Sequence, residues 1–439
     1  MLGLLKFGKG SQGSLSTAAR RSFSQAKSLN PNYSKFLIVG AGNAGVTVAS
    51  TLLSLTKSTP YDIRVVEPNT TVVYEPGIDL VAARLKTPEE IQASIFSTLN
   101  DKIKIHHGLV TEFKPESNSV VAGDRVYEYD YLILATGVVP AFDKIKGLED
   151  ALSDPESGVV STYNLDYAVK ARTAFEQFIK GNVIFYNSAF EARNFQSAIN
   201  LALLFEADLR ETRGKSTRDI SNLEYVSPFG TFLPLANNSV ELRKLFENRD
   251  INTDFGLTLT GVDKKKKTAS FNDVKTNKKV NKKYDLLYVA PPVKLDPKIS
   301  NSKALADNDG LLDIDPRTLA HNKYKNVFAV GHCTRVPEIF SQKALLQQCL
   351  TVSGNVSFRE KGVQDKQVSY NKESELVIFT GNNQCLKIEL VDPRLESVNE
   401  PSTTEYYSQV HLDHHKFFKL QTRGRWFGST WFRKPTFDV

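Results

Sequence analysis

The sequence predicts an α/β protein made of two dinucleotide-binding units, the second inserted in the first, with a C-terminal segment that faces a membrane. Three observations carry that expectation. The apolar run Lys35–Gly40 ends on the first glycine of Gly40-Ala-Gly42-Asn-Ala-Gly45, and a helical pattern follows. Apolar strand-like runs then alternate with helical ones, the pattern of a parallel sheet covered on both faces. The same strand–helix pattern restarts at Asn182, in the middle of the chain.

Composition sets the limits. A chain of 439 residues, 41% hydrophobic and 24% charged, has room for two domains and a tail and is not disordered as a whole. No stretch approaches the roughly 18 uninterrupted apolar residues of a spanning helix, so membrane contact is expected to be peripheral. The segment up to Ser28 differs from the rest. It carries Lys6, Lys9, Arg20, Arg21 and Lys27 among serines and small residues, and the first acidic residue of the chain is Asp62. That composition reads as a mitochondrial presequence, with a disordered basic tail as the alternative. Cleavage near Phe23, within Arg20-Arg-Ser-Phe-Ser24, would lower the net charge from +7 to +3 by removing Lys6, Lys9, Arg20 and Arg21. The basic balance is then no argument for a nucleic-acid partner. The expected divisions are a presequence at 1–28, a dinucleotide domain at 33–155 and 306–365, an inserted domain at 156–305, and a C-terminal region at 366–439.

In chain order, the pattern predicts a helix over Ala44–Leu55 and buried strands at Ile63–Glu67 and Tyr131–Ala135. In the inserted unit it predicts a strand at Asn182–Phe185 and an amphipathic helix at Gln196–Arg210. Further buried strands follow at Leu286–Ala290 and Asn326–Val330. Two lysine runs, Lys264–Lys267 and Lys278–Lys283, read as solvated hairpin tips.

The glycine motif has a chemical meaning in this setting. Gly40 allows the tight turn, Gly42 lets the backbone approach a pyrophosphate, and Gly45 lets helix and strand pack closely. Asn43 and Ala44 open the helix, whose free N–H groups and partial positive charge suit phosphate. Glu67, at the end of the next strand, is placed to accept from ribose hydroxyls. His106-His107 and His411, His414 and His415 lack ligands at suitable spacing, so no metal site is predicted.

Two further segments carry a resemblance. Tyr129–Gly137, with Ala135, Thr136 and Gly137, resembles a segment of FAD-dependent pyridine-nucleotide and sulfide oxidoreductases. Asn326–Cys333 resembles their late element ending in Gly-Asp, where the Asp binds the flavin ribitol; this chain has Gly331 and His332 there. Val66-Glu-Pro-Asn69, Tyr74-Glu-Pro76, Phe142–Leu148, Tyr284–Pro292, Gly331–Pro337 and Arg423–Gly428 extend the likeness over nearly the whole chain. Together they resemble the mitochondrial sulfide:quinone oxidoreductases. The resemblance implies FAD as cofactor, ubiquinone as partner and a peripheral place on the mitochondrial inner membrane. The turn after Phe185, Tyr186–Arg193, holds no glycine, so no NAD(P) is expected in the second domain.

The family's two redox cysteines correspond to a position within Ala192–Asn194 and to one near Leu376, ahead of Thr380-Gly381. Neither is cysteine here. Only a thiolate performs persulfide and disulfide exchange. The cysteines present, Cys333, Cys349 and Cys385, read as small buried hydrophobes, with Cys349 and Cys385 as poor substitutes. Lys343 opens the helix after the Gly-His element and is either a stabiliser of reduced flavin or a surface lysine. The tail Phe417–Phe437 mixes aromatic and basic residues, which fits an anionic membrane surface or a protein partner. Three readings stand: a working sulfide:quinone oxidoreductase, a non-catalytic subunit of a mitochondrial inner-membrane assembly, or an FAD-dependent quinone reductase with another donor.

Overall fold

The computed structural model describes residues 30–56, 62–188, 195–233, 240–334, 336, 341–363, 365–371, 374–390 and 404–408. The expected presequence, Ala192–Asn194, residues 189–193 of the glycine-free turn, His411, His414, His415 and the tail Phe417–Phe437 lie outside the described residues.

The chain opens with strand β1 (Tyr33–Val39), helix α1 (Asn43–Leu55) and strand β2 (Ile63–Glu67). A short helix α2 (Ile78–Ala82) precedes strands β3 (Lys104–His107), β4 (Val110–Lys114), β5 (Ser119–Ala122) and β6 (Arg125–Leu134). Next come β7 (Val139–Pro140), β8 (Val159–Val160), α3 (Leu165–Gln177), β9 (Gly181–Asn187) and α4 (Ser197–Ala207). Strands β10 (Ser221–Ser227), β11 (Ile251–Phe255), β12 (Leu257–Asp263), β13 (Thr268–Asp273), β14 (Lys279–Lys283), β15 (Leu286–Ala290) and β16 (Val293–Lys294) follow. The last elements are β17 (Val327–Ala329), α5 (Gln342–Glu360), β18 (Ser374–Gly381), β19 (Gln384–Leu390) and β20 (Thr404–Ser408).

The first sheet runs β3-β2-β1-β6-β5-β4, with β17 also paired to β6. Its parallel part is β3, β2, β1, β6 and β17. Every residue of β2 and β17 is buried, as a parallel strand between two covering layers requires. The strand expected at Tyr131–Ala135 is the second half of the longer β6. Its first half pairs antiparallel with β5, extending the sheet through a meander. The second sheet is fully parallel, in the order β8-β15-β9-β10-β11. Two short strands, β7 and β16, pair antiparallel between the two units.

Two sequence expectations change. The helix expected to be amphipathic, α4, is buried at all eleven residues, because β9 and β10 cover one side and β18 the other. The lysine run Lys264–Lys267 does form the turn between β12 and β13. The second run is not a tip: Lys279–Lys283 form β14, the outer strand of the β12-β13-β14 sheet.

Register positions the site. Val39 lies opposite Val66 on one side and Leu134 on the other, and Ala329 lies opposite Leu134. The residues that follow, Gly40, Glu67, Ala135 and Val330, therefore leave the sheet at one level, the carboxyl edge where ligands bind in such folds.

Candidate functional site

A cleft of about 630 Å³ opens at that edge, within the range of small-molecule and cofactor sites. Of the residues expected to bind a dinucleotide, Gly40, Gly42, Asn43, Ala44, Glu67, Ala135, Thr136, Gly137, Gly331 and His332 all line it. Gly45 does not. It lies behind the turn, where a Cβ would overlap the Gly40 carbonyl oxygen. Gly40 has a φ of +102°, which a residue with a side chain rarely adopts.

The turn leaves the start of α1 open. Gly42 is its N-cap residue and contributes no side-chain cap, and a Cβ built on Gly42 meets nothing within 4 Å. The start of a 13-residue helix thus borders the cleft through Asn43 and Ala44 without a side-chain cap, the kind of cradle a pyrophosphate needs. Glu67 holds the turn from the side. Its Oε2 accepts from the Ala41 N–H at 2.7 Å, and its Oε1 accepts from the backbone and side-chain nitrogens of Asn69 at 2.9 and 2.7 Å. A carboxylate offers about four acceptor positions, so capacity remains for ribose hydroxyls. The residues present fit a dinucleotide such as FAD.

Sequence reasoning missed the far end of the cleft. Gln196, Asn200, Glu375, Val377 and Phe379 line it, contributed by the start of α4 and by alternate residues of β18. No motif marks them; only the fold brings the segments together. Gln196 Oε1 is buried without a hydrogen-bond partner among the described residues. Asn200 is held at both ends. Its Nδ2 donates to Asp79 at 3.0 Å, and its Oδ1 accepts from the Phe379 N–H at 3.0 Å. Asp79, on α2, also accepts from Thr162 at 3.0 Å and Ser197 at 2.8 Å. Burial pushes the Asp79 carboxyl above its ordinary value, against the three hydrogen bonds that oppose the shift. Gln348, fully buried on α5, accepts the Gly331 N–H at 2.8 Å and fixes the turn that carries His332.

No cysteine lines the cleft. Cys333, Cys349 and Cys385 are each completely buried and unbridged. The Cys333 thiol donates to the carbonyls of Leu134 and Val330, and Cys349 faces the Ala44 carbonyl. Burial pushes both thiols up, away from the reactive thiolate. Leu376 is fully buried in the core, while its neighbours Glu375 and Val377 line the cleft. Lys343 is not part of the lining; Gln342 and Leu345, on the same first turn of α5, are. His106 lies on β3 against Tyr127, and among the described residues no cluster of ligand-type side chains is arranged to hold a metal.

The profile of the pyridine nucleotide-disulphide oxidoreductases matches residues 34–174. The mitochondrial sulfide:quinone oxidoreductase of Dictyostelium discoideum is 28% identical over 414 residues, covering 92% of this chain and 89% of that protein. Among solved structures, the sulfide:quinone oxidoreductase of the bacterium Aquifex aeolicus superposes with a TM-score of 0.76 at 16% identity, covering 90% of this chain and 92% of that one. A chain in the cryo-EM structure of the Tetrahymena thermophila mitochondrial ATP synthase, an F1Fo composite tetramer, superposes with a TM-score of 0.72 at 21% identity. That match covers 90% of this chain and 97% of that one. The two superpositions are likenesses of fold. The resemblance drawn from the motifs is borne out: the chain is similar to mitochondrial sulfide:quinone oxidoreductases over nearly its whole length, and its fold is theirs. No helix among the described residues is long and apolar enough to cross a membrane.

Proposed function

We propose that this chain is a flavin-binding relative of the sulfide:quinone oxidoreductases that does not oxidise sulfide, and that it serves as a non-catalytic component of a mitochondrial inner-membrane assembly. The observation that carries this reading is the lining of the cleft: Gly42, Asn43, Ala44 and Glu67 stand at one end, and Gln196, Asn200 and Glu375 at the other, with no thiol among the described residues that line it. Amide and carboxylate groups hydrogen-bond a ligand, but they form no persulfide or disulfide.

In this reading Gly42, Asn43 and Ala44 bind the pyrophosphate through the start of α1, and Glu67 accepts from a ribose. His332 stands at the ribitol position with both a donor and an acceptor nitrogen. Bound flavin supplies a two-electron acceptor. The protein around it supplies binding and orientation, with no thiol among the described residues that line the cleft. The fold likeness to a chain of the ciliate ATP synthase supports a place in an assembly rather than in a sulfide pathway. The dinucleotide-type lining of the cleft also supports a second reading, a quinone reductase fed by a donor other than sulfide.

Two measurements on the same preparation separate these readings. Purified chain reconstituted with FAD should give background rates of sulfide-dependent reduction of a ubiquinone analogue. In mild detergent, the epitope-tagged chain should migrate with an inner-membrane complex on native gels. Turnover with sulfide, or migration as a free small species, would overturn the proposal. Quinone reduction driven only by another donor would establish the second reading instead.

A further inference from the structure

We infer that the outer face of the β12-β13-β14 sheet is a docking surface for an anionic phospholipid bilayer. The charge distribution comes first. Residues 261–285 contain nine lysines, no arginine and three aspartates, a net charge of +6 against +7 for the whole chain. This small antiparallel sheet is therefore one of the strongly basic segments of the chain.

The sheet has two unlike faces. Leu257 and Leu259 of β12 and Ala269 and Phe271 of β13 are buried in the core of the inserted unit. Strand alternation and register send Thr258, Asp263, Ser270, Asn272, Lys279, Asn281 and Lys283 to the other face. That set holds a single carboxylate, Asp263, against Lys279 and Lys283. Beside it, Lys146, Lys264, Lys265 and Lys279 share one shallow depression of about 490 Å³ with Asp150 and Asp263, four cations against two carboxylates.

Some of the lysines are already committed. Lys264 pairs with Asp150 and Asp154, and Lys282 with Glu224 and Asp254. Lys265, Lys266, Lys275, Lys278 and Lys279 are exposed and make no ion pair among the described residues. Lysines on an outer strand also block edge-to-edge pairing. Edge protection accounts for Lys279 and Lys283 on β14, but not for Lys265, Lys266 and Lys275, which lie in the turns.

The residue types select the partner. Specific protein interfaces concentrate Tyr, Trp and Arg and are depleted of Lys. This face has exposed lysines and small polar residues, with Phe271 turned inward and Val274 exposed at the β13–β14 turn. Flexible ammonium groups around a shallow, open surface suit the diffuse charge of a lipid headgroup layer, where each lysine contributes about 1 kcal/mol, roughly a fivefold change in partitioning.

The test is flotation of the full chain with vesicles of phosphatidylcholine alone or with 30% anionic phospholipid. The expected result is binding to the anionic vesicles only, falling as salt rises. K265Q/K275Q/K278Q should reduce that binding by about a hundredfold. K102Q/K180Q/K303Q, which removes three exposed lysines elsewhere, and K265R/K275R/K278R should bind as the wild type does. Any of three results would overturn the inference. They are equal binding to neutral vesicles, a loss under threefold in the K265Q/K275Q/K278Q variant, and tighter binding to polyglutamate or single-stranded DNA than to the vesicles.

Discussion

Replacing Gly42 and Gly45 in turn by alanine separates binding from folding, because the two glycines serve different masters in one turn. Gly42 has φ −66° and ψ −173°, which alanine adopts without strain, and its added Cβ meets nothing within 4 Å. Gly42→Ala should therefore leave the fold intact and stabilise it by about 0.4–1 kcal/mol through the unfolded chain. The same methyl group stands where the phosphates must approach the helix. Displacing two charge-assisted N–H contacts at about 1.5 kcal/mol each weakens flavin binding by about 3 kcal/mol, roughly 150-fold. Gly45→Ala behaves oppositely, since its Cβ would overlap the Gly40 carbonyl oxygen and the neighbours are backbone atoms. It should cost about 1–3 kcal/mol of stability. The assays are urea unfolding followed by far-ultraviolet circular dichroism, and FAD titration of apoprotein followed by flavin fluorescence. A Gly42→Ala protein that binds FAD as tightly as the wild type would refute a pyrophosphate at the start of α1.

Three further outcomes follow from buried groups. Asp79 has a raised folded-state value, so its favourable contribution is complete below the unfolded value near 3.8 and is lost as pH rises through the folded value. Asp79→Asn should flatten the decline in stability as pH rises above about 3.8, read by urea unfolding across that rise, and an unchanged slope would contradict the assignment. Glu206 is almost fully buried on α4 with Arg210, Arg218 and Arg249 at 3.4–3.6 Å; Glu206→Ala should cost about 3–5 kcal/mol in thermal or chemical unfolding. The native protein should show no fast-reacting thiol with a disulfide reagent and all three after denaturation, since each cysteine is enclosed.

The sequence displayed those parts of the fold where local pattern and tertiary role coincide. The strand–glycine–helix unit Lys35–Leu55 and the buried strand Ile63–Glu67 are legible because a fully covered parallel strand reads as an unbroken apolar run. The amphipathic reading of Gln196–Arg210 failed because polar residues such as Ser197, Asn200 and Glu206 are buried against specific partners, a fact no period reveals. The meander of β4 and β5 went unnoticed for a related reason: its short strands show no regular alternation of buried and exposed residues and carry no motif. In the site, residues bound to the chain's main turn could be named in advance. Gln196, Asn200, Glu375 and Phe379 could not, because they meet only after α4 and β18 pack together. Lys343 marked the right helix but not its inward face, where Gln342 and Leu345 lie.

The central claim is a flavin cleft without sulfide chemistry, and its most direct test is the visible spectrum of the FAD-loaded protein under anaerobic sulfide titration. The account predicts that the flavin band near 450 nm (about the usual oxidised-flavin position) persists through a large excess of sulfide and still bleaches with dithionite. Bleaching by stoichiometric sulfide would contradict it, and would mean that sulfur reaches the flavin without a thiol on the cleft wall.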